Sequence, residues 1–280
     1  EDRFKKRLED ESLLADMSDP KIFGEEIFSM TFAEAIDLKI LSDYKILAIG
    51  VSDQVVREKI SSKFLVSDGN TLESWAKNIA LDKAMDEHQA SHAISFHSTI
   101  RSAKEFAQRH AKVNGNISVS HVNGTQSSKD RERFLRNDFK NSLKGLVTNA
   151  RCLSEGVDVP EIDLVFFSDP RKSKIDVVQA VGRALRKKKG SKNDLSYIVI
   201  PLFHVKEEGV EEEIEISLFD NLISTVRAIG DHDERLFEKI GQIAIKGISG
   251  CGVAGEIDPS NPFGGVIEFE GLTKLLKEKI

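Results

Sequence analysis

Short apolar runs alternate with amphipathic stretches along most of this chain. The apolar runs predict β-strands at residues 45–51, 93–97, 117–122, 143–149, 163–168 and 195–201. Helical periodicity predicts a helix over residues 71–90, with Trp75 on its buried side, a second helix after Ser98-Thr99, and a third over 128–139. Strands separated by helices favour crossover connections. The chain is therefore predicted to be an α/β protein whose mainly parallel sheet carries helices on both faces.

Composition limits the classes of protein that this pattern fits. A hydrophobic content of 40% over 280 residues indicates an ordered chain of one or two domains. The net charge of −6 does not suggest a nucleic-acid partner, so any such partner requires local basic patches. Cys152 and Cys251 have no metal-binding spacing, which predicts a reducing, cytoplasmic location and no metal site in this chain. No apolar run reaches membrane-spanning length, so no membrane contact is predicted.

A basic helix is predicted at the sequence QAVGRALR. In a helix, Gln179, Arg183 and Arg186 lie on one face, because they are spaced by four and three residues. Two guanidinium groups and an amide on one face are suited to binding oxyanions such as phosphate. A solvated basic helix face is the alternative interpretation.

Polar residues follow the predicted strands, where ligands bind in parallel α/β sheets. Their hydroxyl, amide and backbone N–H groups suit contacts to a nucleic-acid backbone, although the same residue types also cap helices and form turns. The candidates are Ser98, Thr99, Gly124, Thr125, Thr148 and Asn149.

The loop from Ala150 to Pro160 contains a second candidate ligand group. Gly156 permits close approach of the backbone to a ligand, and the Asp158 carboxylate could accept hydrogen bonds from ribose hydroxyls. The alternative is a glycine turn in which Asp158 caps a neighbouring element.

These stretches together resemble a known family. TNARCLSEGVDVP, from Thr148, and QAVGRALR, from Gln179, resemble motifs V and VI of superfamily 2 helicases. AISFHSTIRSAKEF, from Ala93, resembles motif IV, and HVNGTQSSKDRERFLRNDF, from His121, resembles the segment between motifs IV and V. The resemblance covers residues 93–190. It implies the second, C-terminal RecA-like domain of a DEAD/DEAH-related helicase, most similar to helicase subunits of bacterial restriction-modification systems.

The resemblance implies a role for each motif residue. Arg186 would be the arginine finger, with Arg183 and Gln179 at the same site, and Gly156 and Asp158 would face the nucleotide. Thr148, Ser98 and Gly124 would contact the nucleic-acid backbone. The chain departs from the family pattern at Ser128, where many relatives carry glutamine.

The resemblance also implies partners outside this chain. The sequence lacks a GxxxxGK[ST] motif and a DEAD-like acidic box, so ATP and Mg²⁺ would be bound mostly by a preceding RecA-like domain. Residues 1–44 would be the tail and linker of that domain, residues 45–202 the second RecA-like domain, and residues 203–280 a small, mostly helical C-terminal extension.

The expected function is that of a motor domain in an ATP-dependent helicase or translocase. The chain alone is expected to be inactive as an ATPase. Its expected partners are duplex DNA and, in a restriction system, methyltransferase or specificity subunits. The alternative is a nucleotide-independent module that binds nucleic acid or protein and retains the RecA-like fold.

Overall fold

The computed structural model describes residues 24–25, 27–62, 71–150, 162–169, 174–186, 195–204, 216–233, 235–236 and 267–270. The chain divides into two compact units, Glu1–Thr31 and Phe32–Ile280. All the helices and strands given below belong to the second unit.

Strands and helices alternate along the second unit. The strands are β1 (Asp43–Ser52), β2 (His92–Phe96), β3 (Ser118–His121), β4 (Gly145–Asn149), β5 (Leu164–Phe167), β6 (Leu195–His204) and β7 (Ile267–Glu270). The α-helices are α1 (Phe32–Asp37), α2 (Asp53–Ser62), α3 (Leu72–Glu87), α4 (Ile100–Val113), α5 (Ser128–Arg133), α6 (Lys174–Ala184) and α7 (Ile216–Gly230). A π-helix, Phe134–Phe139, continues α5.

The strands form one sheet in the order β3-β4-β2-β5-β6-β1-β7. Within the described residues, all pairs of neighbouring strands are parallel. Because the strands are parallel, all their carboxyl ends lie along one edge of the sheet, which we call the carboxyl edge. Their amino ends form the opposite, amino edge. The predicted α/β fold is confirmed, and the sheet is more uniformly parallel than expected.

The side chains of each strand point alternately to the two faces of the sheet, and this divides the core into two apolar layers. On β1, Ile46 and Ala48 pack in the same cluster as residues of α6 and α7, whereas Leu47 and Ile49 pack with residues of α3 and α4. Successive side chains of a strand point to opposite faces, so helices on both faces must cover a strand that is apolar throughout. Trp75 is 1% exposed in the second cluster, which confirms its prediction as a core residue.

The structure differs from the predicted elements in three places. The helix predicted over residues 128–139 becomes a π-helix after Arg133, where Lys140 N–H bonds Leu135 O five residues back. The fourth predicted strand begins at Gly145 instead of Leu143, which is 95% exposed. The additional helix α2, which the sequence pattern did not predict, begins at Asp53 directly after β1.

The predicted extension contributes to the same sheet. Strand β7 pairs with β1, and Leu222 and Val226 of α7 belong to the apolar layer on one face. The predicted domain boundaries stay a prediction, although one compact unit, Phe32–Ile280, includes parts of all three predicted segments. In the part of the chain that the structure describes, no helix is long and apolar enough to cross a membrane.

Candidate nucleic-acid interface

The carboxyl edge gathers all six residues predicted to contact nucleic acid. Thr148 and Asn149 end β4, the Ser98-Thr99 pair follows β2, and the Gly124-Thr125 pair follows β3. These three strands are neighbours in the order β3-β4-β2. Residues far apart in sequence therefore form one continuous edge, which satisfies the geometric requirement of the predicted site.

Asp169 joins this edge from β5 and was absent from the predicted site residues. Its Oδ2 accepts hydrogen bonds from Ser98 N–H at 2.8 Å and from Ser98 Oγ–H at 3.0 Å. Its Oδ1 lies 3.2 Å from Lys77 Nζ on α3. Burial raises the pKa of Asp169, but the Ser98 donors and the Lys77 ammonium outweigh burial and hold this pKa below its usual value. The sequence signal that could have identified Asp169 was the position of an acidic residue just after a predicted buried strand.

Thr99 begins α4 through a capping box. Its Oγ1 accepts from Ser102 N–H at 3.0 Å, and Ser102 Oγ accepts from Thr99 N–H at 3.2 Å. The Thr99 hydroxyl itself donates to Ser102 Oγ at 3.0 Å. Thr99 thus has a defined structural role in starting the helix.

The side chains of Thr148 and Asn149 are fully buried. Thr148 Oγ1 lies 3.1 Å from His121 Nδ1, and Asn149 Nδ2 donates to Ser95 O at 3.1 Å. Burial lowers the pKa of His121, and a bond to the Thr148 backbone offsets only part of this effect. Direct contact of either β4 side chain with a ligand requires a local rearrangement of the edge.

The turn after β3 is held by its own side chains. Thr125 donates to Asn123 Oδ1 through its N–H at 2.9 Å and through its hydroxyl at 2.6 Å. In the described part of the chain, no heavy atom lies within 4 Å of a Cβ placed on Gly124, so internal packing does not require this glycine. Asn123 N–H donates to Gln126 Oε1 at 3.1 Å, and Ser128 is the first residue of α5.

The predicted catalytic arginine lies at the amino edge. Ser42 N–H donates to Leu185 O at 2.6 Å, and Arg186 forms an isolated antiparallel bridge with Leu41, two residues before β1 begins. The Arg186 side chain is exposed, and Gln179 on α6 is partly buried. Arg183 belongs to α6, but its side chain lies outside the described residues, as do Gly156 and Asp158.

A buried polar cluster fixes the chain beside Arg186. Tyr44 Oη donates to Asp233 Oδ2 at 3.0 Å, and Arg235 binds both oxygens of Asp233 at 2.8 and 2.9 Å. Burial raises the pKa of Asp233, but these two partners more than offset burial and lower it. The segment after α7, to which the sequence assigned no role, therefore anchors the start of β1 and with it the neighbourhood of Arg186.

Comparison with known proteins agrees with this geometry. Residues 76–188 match the family model of the helicase conserved C-terminal domain. A probable helicase of African swine fever virus (isolate Pig/Kenya/KEN-50/1950) is 24% identical over 229 residues, which cover 80% of this chain and 25% of the relative. The chain thus spans about a quarter of the length of the curated relatives it matches.

Two solved restriction enzymes have a similar fold. The ATP-dependent Type ISP restriction-modification enzyme LlaBIII, solved bound to DNA, has a TM-score of 0.70 and 24% identity over 96% of this chain and 18% of its own. A fragment of a putative HsdR subunit of a type I restriction enzyme from Vibrio vulnificus YJ016 has a TM-score of 0.51 and 17% identity, covering 72% of this chain and 44% of that fragment.

The parallel sheet and its covering helices form a RecA-like helicase domain. More specifically, residues 76–188 match the helicase conserved C-terminal domain, and the structural neighbours of the chain include Type ISP and type I restriction enzymes. The family resemblance predicted from the motifs is confirmed. The roles of the individual site residues and the cytoplasmic location stay predictions.

Proposed function

We propose that this chain is the second motor domain of an ATP-dependent helicase or translocase. The proposal rests on one observation: the candidate nucleic-acid residues and the candidate arginine finger lie at opposite edges of the sheet. The predicted nucleic-acid residues lie on the carboxyl edge, and Arg186 lies on the amino edge of the same sheet. A nucleic acid and a nucleotide can therefore contact the domain at the same time without competing for one surface.

The carboxyl edge would position the nucleic-acid backbone through its turns and nearby cations. Arg101, on the first turn of α4, is 88% exposed and lies three residues after Ser98. Lys104 is close enough to His121 to lower its pKa. Such contacts hold a strand without reading its bases, and they do not require an overall positive chain.

The amino edge would serve the nucleotide. Arg186 carries an exposed guanidinium on a segment held by the bridge to Leu41, which suits a cation that must meet an oxyanion at a defined position. The resemblance implies that four more residues face the nucleotide: Gln179 and Arg183 of α6, and Gly156 and Asp158, which lie outside the described residues. Bound ATP with Mg²⁺ would supply the phosphoryl group whose hydrolysis drives movement.

The magnesium ligands are proposed to come from a preceding RecA-like domain. Among the described residues, no group of three or more His, Cys, Asp or Glu side chains could hold a metal ion. The 280-residue chain by itself is then expected to hydrolyse no ATP. ATP hydrolysis by the isolated chain, abolished in Arg186→Ala, would contradict this assignment.

The finer setting that we propose is a DNA restriction-modification system. It is supported by the fold shared with LlaBIII, which was solved bound to DNA. Duplex DNA is the proposed nucleic acid, and methyltransferase or specificity subunits are the proposed protein partners.

The first experiment measures ATP hydrolysis by the longer protein that contains this chain, with duplex DNA, single-stranded DNA and RNA as separate stimulants. Arg186→Ala should lower the stimulated rate by roughly a thousandfold, because an arginine finger stabilises charge in the transition state. Arg227→Ala, at an exposed arginine of α7, is the matched control and should leave the rate unchanged. An equal effect of both substitutions would refute the role of Arg186.

The second experiment measures binding of labelled nucleic acids to the 280-residue chain by fluorescence anisotropy. Arg101→Ala should weaken binding roughly two- to fivefold, as expected for one lost phosphate contact. Arg57→Ala is the control, because the two exposed arginines are in similar settings. Arg101 pairs with Glu105 on α4 at 2.7 Å, and Arg57 pairs with Asp53 on α2 at 3.3 Å. Nucleic-acid binding without any ATP hydrolysis by the longer protein would favour the nucleotide-independent module.

A further inference from the structure

We infer that Asp169 is an internal competitor for the nucleic-acid backbone: its carboxylate holds both hydrogen-bond donors of Ser98, and a phosphate must displace it to bind them. This inference rests on the proposed function, because it assumes that nucleic acid binds at the carboxyl edge. It adds a residue that sets the affinity of that edge.

The contacts at Ser98 are those that a phosphate oxygen would make. One carboxylate oxygen of Asp169 accepts from Ser98 N–H at 2.8 Å and from its hydroxyl at 3.0 Å. The turn directly precedes the 14-residue helix α4, whose N-terminal end favours negative charge. Ser98 has one N–H and one O–H, so in this arrangement neither donor remains for an external anion.

If the hydrogen bonds from Ser98 are lost, the Asp169 carboxylate keeps its ion pair with Lys77. Its second oxygen lies 3.2 Å from Lys77 Nζ, and the same ammonium lies 2.9 Å from Glu73 Oε1. Lys77 is only 23% exposed and Asp169 only 19%, so this ion pair is well shielded. Loss of the Ser98 bonds would therefore leave the carboxylate charged but compensated, which makes the exchange with phosphate reversible.

A second anion cannot approach Ser98 without meeting the charge of Asp169. A phosphate that contacts Ser98 while Asp169 stays in place brings two like charges to the same donors, and the repulsion opposes binding. Removal of the carboxylate charge should relieve this repulsion and release the Ser98 donors. We expect a gain in affinity of roughly three- to tenfold, because salt and solvent screen charges at a partly exposed edge.

Asp169→Asn is the direct test, since the amide oxygen can still accept a bond from Ser98 while the charge is lost. The probe is a fluorescein-labelled DNA duplex, and its Kd for the 280-residue chain is measured by anisotropy. Glu73→Gln is the matched control: it removes a negative charge bound to the same Lys77 but does not touch Ser98. Asp169→Asn should tighten binding, whereas Glu73→Gln should leave the Kd within about twofold.

The background variant Ser98→Ala separates local competition from a general charge effect. In the Ser98→Ala background, the gain in affinity from Asp169→Asn should shrink towards the change caused by Glu73→Gln. The reason is that the Ser98 hydroxyl, one of the two donors to Asp169, is gone. Fluorescence of the buried Trp75 reports whether each variant is folded. If Asp169→Asn does not fold, Asp169→Ala is the substitute, since it also removes the carboxylate charge from Ser98.

The outcomes distinguish this inference from the function on which it rests. Binding by the wild-type chain that Asp169→Asn does not tighten beyond Glu73→Gln would overturn the competitor role and leave the proposed interface standing. Binding by neither the wild-type chain nor Asp169→Asn would overturn both. Weak wild-type binding that becomes strong in Asp169→Asn, with a smaller gain in the Ser98→Ala background, is the expected result.

Discussion

Gly145 offers a sharp test of how tightly β4 is packed at its amino end. Its N–H donates to Ser91 O at 2.8 Å, and the residue lies between β3 and β2. A Cβ at this position would lie 2.8 and 2.9 Å from two ring carbons of Phe139 and 2.7 Å from Ser142 Oγ. Separations under 3.0 Å are shorter than van der Waals contact allows, so Gly145→Ala must displace one of these groups.

The size of the effect follows from how little these neighbours can move. Phe139 is 1% exposed in the π-helix and packs edge-on against His92, with ring centroids 4.8 Å apart. Ser142 Oγ donates to Phe139 O at 2.7 Å, so a shift of the hydroxyl would break that bond. Overpacking of this kind costs about 1–3 kcal/mol, and the lower entropy of the unfolded alanine chain offsets about 0.4–1 kcal/mol. The middle of both ranges leaves a net loss of about 1.3 kcal/mol in the free energy of unfolding.

Urea unfolding followed by tryptophan fluorescence measures this loss directly. The chain has one tryptophan, Trp75, which is 1% exposed when folded. Gly115→Ala is the control, because in the described part of the chain no heavy atom lies within 4 Å of its Cβ position. That variant should stay within about 0.5 kcal/mol of wild type.

A double variant tests whether the Phe139 ring causes the loss. In a Phe139→Leu background, Gly145→Ala should destabilise the chain less, because the ring atoms it meets are gone. Equal stability of Gly145→Ala and Gly115→Ala would refute the steric argument. An undiminished loss in the Phe139→Leu background would exclude the ring as its cause and leave Ser142 Oγ, 2.7 Å from the Cβ position, as the remaining steric obstacle.

Three further predictions concern the amino edge and the start of α4. Tyr44→Phe should lower the free energy of unfolding by about 1.5–3 kcal/mol at pH 7, because it removes a buried bond to the Asp233 carboxylate. Since the folded-state pKa of Asp233 is lowered, its stabilisation is present above the unfolded-state pKa and is lost as pH falls through the folded-state pKa. The stability difference between wild type and Asp233→Asn, measured by urea unfolding, should therefore shrink in acid, and a difference that is constant with pH would contradict this account. Thr99→Ala should cost about 1 kcal/mol by removing the cap of α4, whereas Thr99→Ser should retain most of the stability, as thermal unfolding can test.

The fold class was accessible from sequence because it depends on local patterns. Apolar runs such as that of β6 are too short for helices and too continuous for a sheet with one solvated face, so they indicate buried parallel strands. The motifs around Thr148 and Gln179 are likewise contiguous in sequence and identified the helicase family before any contact was known. The Thr99 cap needed only its neighbour three residues along the chain.

Only the tertiary structure decided which of these residues meet. The pairing order of the strands brings β3, β4 and β2 together at one edge and places Arg186 at the other. Long-range partners were invisible in the sequence: Asp169 reaches Ser98 across 71 positions, and Tyr44 reaches Asp233 across 189.

The physical reason is that helix and strand preferences arise from nearby residues, whereas hydrogen bonds between side chains depend on where distant elements pack. A serine after a strand has the same sequence appearance whether it faces a phosphate or an internal carboxylate. The sequence by itself therefore determined the family, the layers of the fold and the candidate residues. The packing of β5 beside β2 decided that Ser98 already has an anionic partner in Asp169.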